Sequence, residues 1–265
     1  MSMKNFFTIN LLKIINLVTV QFFSIEIFAK KFYKKIIMNK DQAGDGRSLV
    51  KYIKILKNHT DFELNNFFEV GANFCQDSFF VNKYMSIPKK NIFCFEPANH
   101  IYEKIKYNGL NVFKYAVSNY DGKANFNITN TDETKLPLNS GISSLKRNRS
   151  ENVVELGTEE VECIKLSTFI KNNYIENIDF LKIDAEGNDF EVLQGLEDKI
   201  KIVKVIQIEC SLKPIFDGEV VFYDINNFLH KSKFSLVNFE LSQDNVSADA
   251  LFINNLFLND RKLYN

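Results

Sequence analysis

The chain is predicted to be an α/β protein with a mostly parallel sheet, helices on both faces and an antiparallel edge. Three observations carry this. First, short runs at Phe67 to Gly71, Ile92 to Glu96, Asp179 to Ile183 and Val203 to Cys210 alternate with segments of helical length, as βαβ units require. Second, these runs are apolar at nearly every position rather than every other one, the mark of strands buried on both faces. Third, Phe234 to Leu241 and Ala250 to Leu256 follow one another across a short polar loop, the pattern of a terminal antiparallel hairpin.

The elements follow in order. Between Phe6 and Ile37, residues Leu11, Ile15, Val18, Phe22, Ile25, Ala29, Phe32 and Ile36 recur at steps of three and four, one continuous helical stripe. The uncharged run from Ile14 to Ile25 is shorter than the roughly 20 residues needed to cross a bilayer. Glu26 and the lack of a small-x-small cleavage site argue against a secretory signal. Two readings remain for residues 6–37: packing on the main domain or a second copy, which is preferred, or an interfacial membrane helix flanked by Lys30, Lys31, Lys34 and Lys35. The polar stretch Asp41 to Gly46 then reads as a linker, and Ser48 to Lys57 as a leading helix. The chain thus divides into an amphipathic extension (1–40), a linker with leading helix (41–60) and the main domain (61–265).

Within that domain, Asp77 to Tyr84 has the length of one crossover helix. Ala98 to Tyr107 is amphipathic, with Ile101, Tyr102 and Ile105 towards the sheet. Val112 to Val117 reads as a third strand, closed by the turn Ser118 to Gly122. A short strand is expected at Phe126 to Thr129, then a long polar loop from Asn130 to Gly157, and loops of that length in compact domains are usually functional or disordered. Val161 to Leu166 is a strand, and Ser167 to Asn172, Asp189 to Leu196 and Val221 to Lys231 are helices.

Composition narrows the function classes. Lys plus Arg (33) equal Asp plus Glu (33), so no global field recruits nucleic acid. Cys75, Cys94, Cys163 and Cys210 form no C-x-x-C pair and have no His at ligand spacing, which points to reduced thiols in a cytoplasmic setting rather than a zinc site.

The chemistry gathers at the strand ends. Open α/β sheets bind ligands outside the carboxyl ends of their strands. Four predicted strands deliver carboxylates there: Glu69, Glu96, Asp184 with Glu186, and Glu209. Clustered acids repel and resist burial, so four on successive strands imply a ligand. Gly71 permits positive φ or a close backbone approach, and Asn73 tolerates left-handed geometry while offering an amide. An acid ending the second strand is where a nucleoside-binding fold grips ribose hydroxyls.

The series Phe67-x-Glu69-Val70-Gly71-Ala72-Asn73, Phe93-Cys94-Phe95-Glu96-Pro97, Tyr115-Ala116-Val117-Ser118-Asn119-x-x-Gly122, Leu181 to Gly187 and Ile206-Gln207-Ile208-Glu209-Cys210 resembles the FkbM family of S-adenosylmethionine-dependent methyltransferases over about Asn66 to Phe252. The resemblance implies the seven-stranded, Rossmann-like class I methyltransferase sheet and methyl transfer to a hydroxyl of a sugar, glycoconjugate or other small metabolite. It implies that Glu69, Gly71 and Asn73 line the methionine and ribose part of the cofactor, and that Glu96 takes both ribose hydroxyls. Ser118 would lie near the adenine, with Ala116 and Val117 able to serve by backbone and packing. Asp184 and Glu186 would face the transferred methyl. One departure stands out: where the family usually has a Gly two residues after the Asn, this chain has Cys75.

Methyl transfer to oxygen needs a group that takes the hydroxyl proton. Asp184 is the first candidate for base or metal ligand, followed by Glu186 and Glu209. Mg²⁺ suits such oxygen ligands, though nothing in the sequence requires a metal. His100 is read as capping the helix after strand two or touching adenine. His59 and His230 have no supporting context. The acceptor is expected against Ser140 to Leu145 and Arg147 or Arg149. Three alternatives stay open: a non-catalytic relative that binds cofactor or glycan, a nucleotide-dependent oxidoreductase, and a membrane-anchored scaffold. Gly71-Ala72-Asn73-Phe74-Cys75 does not supply the G-x-G-x-x-G turn that NAD would call for.

Overall fold

The structure is a computed structural model that describes residues 47–130, 141–242 and 245–258. The helical stripe expected at 6–37, with its membrane and partner readings, lies outside the described residues. Among the described residues no helix is long and apolar enough to cross a membrane.

Helix α1 (Arg47–His59) leads into strand β1 (Phe67–Val70), helix α2 (Gln76–Tyr84) and strand β2 (Ile92–Phe95). Helix α3 (Asn99–Ile105) and strands β3 (Asn111–Phe113), β4 (Ala116–Val117), β5 (Gly122–Asn130) and β6 (Val154–Ile164) follow. Then come α4 (Leu166–Asn172), β7 (Ile178–Ile183), α5 (Asp189–Gln194), β8 (Val203–Ser211), α6 (Phe222–Lys231), β9 (Phe234–Leu241) and β10 (Ser247–Asn254). Seven strands form the main sheet in the order β3-β2-β1-β7-β8-β10-β9, parallel from β3 to β8, with β10 antiparallel to both neighbours. The mostly parallel sheet with an antiparallel edge is therefore present.

Alternation along each strand sends successive side chains to opposite faces. Phe68, Val70, Leu181, Ile183, Ile206 and Ile208 meet Phe169 of α4, Val192 of α5 and Leu229 of α6 on one face. Phe67, Phe180 and Val205 meet Tyr52 of α1, Val81 of α2 and Ile101 of α3 on the other. On the first face the Phe169 ring stands edge-on to Phe68, Phe93, Phe95 and Phe113, with centroids 4.8–6.4 Å apart. Each such pair contributes about 0.5–1.5 kcal/mol beyond burial.

Two expectations need correction. The predicted strand Val112 to Val117 is broken in two: β3 pairs with β2, while β4 pairs with β6 in a separate three-stranded sheet, β4-β6-β5. Between them Lys114 reaches Asn99 Oδ1 at 2.8 Å and Tyr115 turns to a cleft, so neither extends the ladder. The second concerns β5 and β6, which are an antiparallel ribbon much longer than the short strands expected. Its outer positions carry Glu155, Thr158, Glu160 and Glu162, all exposed, so the apolar pattern that betrays a buried strand is missing. The long loop is correspondingly shorter, since β6 begins at Val154.

The chain runs outward from β1 through β2 to β3 and returns to lay β7 on the far side of β1. That reversal is the switch point where open sheets bind ligands. It is closed by backbone: Gly71 and Ala72 both donate to the Phe95 carbonyl (3.1 and 3.0 Å), and Asp184 N–H donates to Val70 O (3.0 Å). Gly71 sits at φ +77°, and a Cβ there would lie 1.8 Å from the Asp184 carbonyl oxygen. The close approach that Gly71 permits is thus to the next strand's turn. Gly71→Ala should destabilise the domain by about 1–3 kcal/mol or more, combining left-handed strain with overpacking. Urea unfolding checks this, and an unchanged midpoint would show that the turn relaxes freely.

Candidate active site

A cleft opens over the switch point, with about 520 Å³ of empty space counted out to its mouth. Val70, Gly71 and Asn73 line it from β1, Glu96 and Pro97 from β2, and Asp184, Ala185 and Glu186 from β7. Tyr115, Ala116, Val117 and Phe126 form an apolar wall. Gly141, Ser143 and Leu145 approach from the acceptor segment named in the sequence, of which Ser140 lies outside the described residues.

Glu96 is 5 % exposed, and each of its oxygens already accepts one backbone N–H, from Asn73 and from Ala98, both at 2.8 Å. Those bonds fix the carboxylate plane and leave further lone pairs for a ligand. Burial pushes the Glu96 carboxyl up to about 7, although both N–H groups favour the anion. Asn73, at φ +45°, lines the same wall, and its side-chain oxygen is buried with no hydrogen-bond partner among the described residues. Buried acceptors are seldom left unpaired, so this atom fits a donor on a bound cofactor.

Glu69 stands elsewhere. It is 2 % exposed and lies outside the cleft wall; its carboxylate accepts the Ser78 hydroxyl and lies 3.7 Å from Lys182 Nζ. Strand alternation explains the difference, since Glu69 points to the face that α2 covers. Burial pushes its carboxyl up to about 8 against the pull of Lys182. Ser118 is also outside the cleft wall. It is buried, its N–H donates to Ile164 O at 3.1 Å, and its carbonyl packs so closely on Gly195 that a Cβ there would come within 2.1 Å. Ala116 and Val117 line the cleft in its stead. His100 does not cap α3; the helix-opening amides go to Glu96 from Ala98 and to Glu159 from Asn99. Arg147 and Arg149 pair with Glu155 and Asp217 outside the cleft wall.

Cys75 takes the left-handed conformation, φ +58°, at the start of α2. Glycine enters that region without penalty, whereas an L-residue is strained by about 1–2 kcal/mol. The thiol is wholly buried and faces Cys94 rather than the cleft, so cofactor space is untouched by the departure. All four cysteines are free and buried.

The structure brings Asp184, Glu186 and Glu209 together: each offers an oxygen, and these lie within 4.8 Å of one another. Burial, then the charge of Asp184, hold Glu186 and Glu209 well above the usual carboxylate range. Such a set of hard oxygens fits a divalent cation such as Mg²⁺. Glu186 sits at φ +50° and Gly187 at φ +85°, a tight turn held by Asp189, whose carboxylate accepts the N–H groups of Ala185 (2.8 Å) and Gly187 (2.9 Å).

Sequence reasoning passed over Lys182. Its ammonium, 8 % exposed, lies 2.9 Å from Asp77, 3.0 Å from Asp184 and 3.7 Å from Glu69. Burial alone would lower its pKa, but Asp184, Asp77 and Glu69 outweigh burial and hold it well above the ordinary lysine value. The signal was available, because a lysine between Leu181 and Ile183 in a central strand needs buried acids around it. Tyr115, Phe126 and Asn188, whose side-chain amide donates to Val117 O at 2.9 Å, were also passed over.

Residues 69–236 match the family described as methyltransferase FkbM domain. A relative, the 2-O-methyltransferase NoeI of Sinorhizobium fredii (strain NBRC 101917 / NGR234), is 24 % identical over 156 residues, which are 55 % of this chain and 64 % of that protein. The chain thus spans less than two thirds of that relative's length. Among solved structures, a methyltransferase FkbM from Methylobacillus flagellatus KT is similar at TM-score 0.46 and 10 % identity, over 73 % of this chain and 44 % of that one. The magnesium protoporphyrin IX methyltransferase of Synechocystis PCC 6803, solved with bound SAM, is similar at TM-score 0.44 and 10 % identity, over 84 % of each chain.

Replacing Lys182 tests the electrostatic frame. Its raised pKa means that its stabilising contribution is complete below the unfolded lysine value of roughly 10.4, and is lost only as pH rises through the folded one. Across neutral pH that contribution is therefore constant. Lys182→Met should cost about 3–5 kcal/mol at pH 8, because it leaves acids buried and unpaired. The variant's folded state then binds extra protons, so its deficit should shrink towards pH 5.5. A deficit independent of pH would overturn this account.

Proposed function

Because the chain belongs to the methyltransferase FkbM domain family, we propose that it transfers a methyl group from S-adenosylmethionine to a hydroxyl oxygen of a sugar, glycoconjugate or other small metabolite. The observation that carries this reading is the pairing, in one strand-end cleft, of Glu96 after β2 with Asp184 and Glu186 after β7, which cluster with Glu209 of β8. The relative's activity at oxygen supports a hydroxyl acceptor. The balance of 33 basic and 33 acidic residues supports a small molecule or glycan over a nucleic acid.

In this reading the ribose diol bonds to Glu96, the orphaned oxygen of Asn73 takes an N–H or O–H of the cofactor, and the adenine lies along Tyr115, Ala116, Val117 and Phe126. The sulfonium supplies an activated methyl for in-line displacement, so the protein's work is orientation and exclusion of water. The acceptor oxygen bonds to the methyl carbon as the carbon–sulfur bond breaks, and that electron pair stays on the sulfur. The hydroxyl proton passes to a carboxylate of the Asp184, Glu186 and Glu209 cluster. Asp184 is fixed by Lys182 and orients the acceptor. A divalent cation held by the same three side chains would offset their mutual repulsion and favour the alkoxide form of the acceptor.

Calorimetry with S-adenosylmethionine is the first test; no binding, or binding of NAD in its place, would sink the reading. The acceptor is then sought as a mass shift, using isotope-labelled cofactor with extracts of the source cell's glycans and metabolites. Glu96→Ala should weaken cofactor affinity several-fold or more, since a desolvated diol loses its acceptors. The anionic form of Glu96 is the one that accepts two hydroxyls. Affinity should therefore hold above pH 7 and fall below it, by at most about tenfold per unit, with that component absent in Glu96→Ala. Asp184→Asn should lower turnover more than cofactor affinity, and equal losses would make Asp184 a cofactor ligand only.

A further inference from the structure

The segment from Gly141 to Lys146 runs beside β5, where Asn127 N–H donates to Ser144 O at 2.7 Å and Ser144 N–H to Asn127 O at 3.1 Å. Its residues alternate. Gly141, Ser143 and Leu145 face the cleft, while Ser144 and Lys146 point the other way. The Ser144 hydroxyl, which is 1 % exposed, accepts the Lys146 N–H at 2.9 Å. Its single proton is therefore free to donate, and it goes to the backbone carbonyl of Glu186 at 2.5 Å. Lys146 in turn donates to Glu191 Oε1 of α5 (2.8 Å) and to the Gly218 carbonyl (3.0 Å) in the connection after β8. The side chains of this ion pair are 13 % and 19 % exposed, which shields it from solvent.

Glu186 is a non-glycine residue at positive φ, a conformation that costs about 1–3 kcal/mol and persists only where its surroundings over-determine it. Asp189 holds the amides on either side of it. The carbonyl of Glu186 itself is held from the small sheet, by Ser144.

We propose that Ser144 is a positioning residue, which locks the turn carrying Glu186 to the acceptor-side segment so that the cleft wall and the three-carboxylate cluster move as one unit. Lys146 completes the lock by tying the same segment to the elements that follow β7 and β8. An acceptor that displaces Ser143 or Leu145 would thereby shift Glu186, which couples acceptor shape to the geometry of the reacting acids. The bearing on catalysis rests on the methyl-transfer reading above, whereas the coupling itself does not.

Hydrogen–deuterium exchange tests the coupling without any acceptor. In Ser144→Ala, a peptide spanning residues 183–189 should exchange several-fold faster, while one spanning β1 stays as in wild type. Ser144→Thr keeps the donor and should return exchange in 183–189 to near the wild-type rate. Exchange in 183–189 unchanged by Ser144→Ala, or equally fast in the Ala and Thr variants, would overturn the proposal. Should Ser144→Ala fail to fold, Ser144→Cys, similar in size but a weak donor, serves for the same comparison. Calorimetry with S-adenosylmethionine on the same proteins separates the two claims. A wild type that binds none removes the methyl-transfer reading and leaves the exchange result standing. If the wild type binds, Ser144→Ala should bind several-fold more weakly with recovery in Ser144→Thr, and unchanged affinity would count against positioning.

Discussion

The ammonium of Lys182 and the three carboxylates around it set the terms for the rest of the structure. β1, α2 and the turn after β7 bring Glu69, Asp77 and Asp184 to one point beneath the switch, where solvent screens them only partly. Unpaired, they would hold protons or force the strands apart. With Lys182 between them the turns after β1 and β7 can approach until residue 71 has no room for a side chain. That approach builds the floor of the cleft. Glu186, where burial and Asp184 outweigh the pull of Lys182, and Glu209 are left with raised proton affinity. The arrangement separates carboxylates paired with Lys182 from a neighbouring cluster that holds protons more tightly.

Much of this was legible in the sequence, and the failures have physical causes. Strands such as Ile92–Phe95 and Ile178–Ile183 are apolar throughout because both faces are covered, and such runs stand out. The acids ending them were recognisable because a carboxylate has no stabilising role there without a partner. Which way each one points was harder to read. Glu69 and Val70 are neighbours in sequence yet face opposite sides of the sheet, so one carboxylate goes under α2 while the next residue lines the cleft. Lys182 was passed over because two of its partners, Asp77 and Glu69, lie more than a hundred residues away in the sequence. The β5–β6 ribbon was mostly hidden, since one of its faces is solvated and glutamates occupy the positions that would have carried the pattern. Ser118 was placed near the adenine by the family resemblance, but the carbonyl contact with Gly195 is a long-range fact no local pattern contains.

Cys75 shows how a departure from a family pattern can be absorbed. The position demands left-handed backbone, for which glycine is the easy solution. Here the strain is accepted, and the added thiol fills buried space beside Cys94 and α2 instead of the ligand cleft. The departure noted in the sequence is a local exchange of backbone ease for packing.

The order of strands has a consequence for how the molecule is made. β10, the last of the described strands, lies inside the sheet, and β9 reaches β8 only through it. As the polypeptide emerges from the ribosome, β3, β2, β1, β7 and β8 can assemble first, but β8 then presents an open apolar edge until β10 arrives. Open edges of this kind recruit other chains. A chain interrupted between β8 and β10 would keep that edge uncovered and so be prone to aggregate.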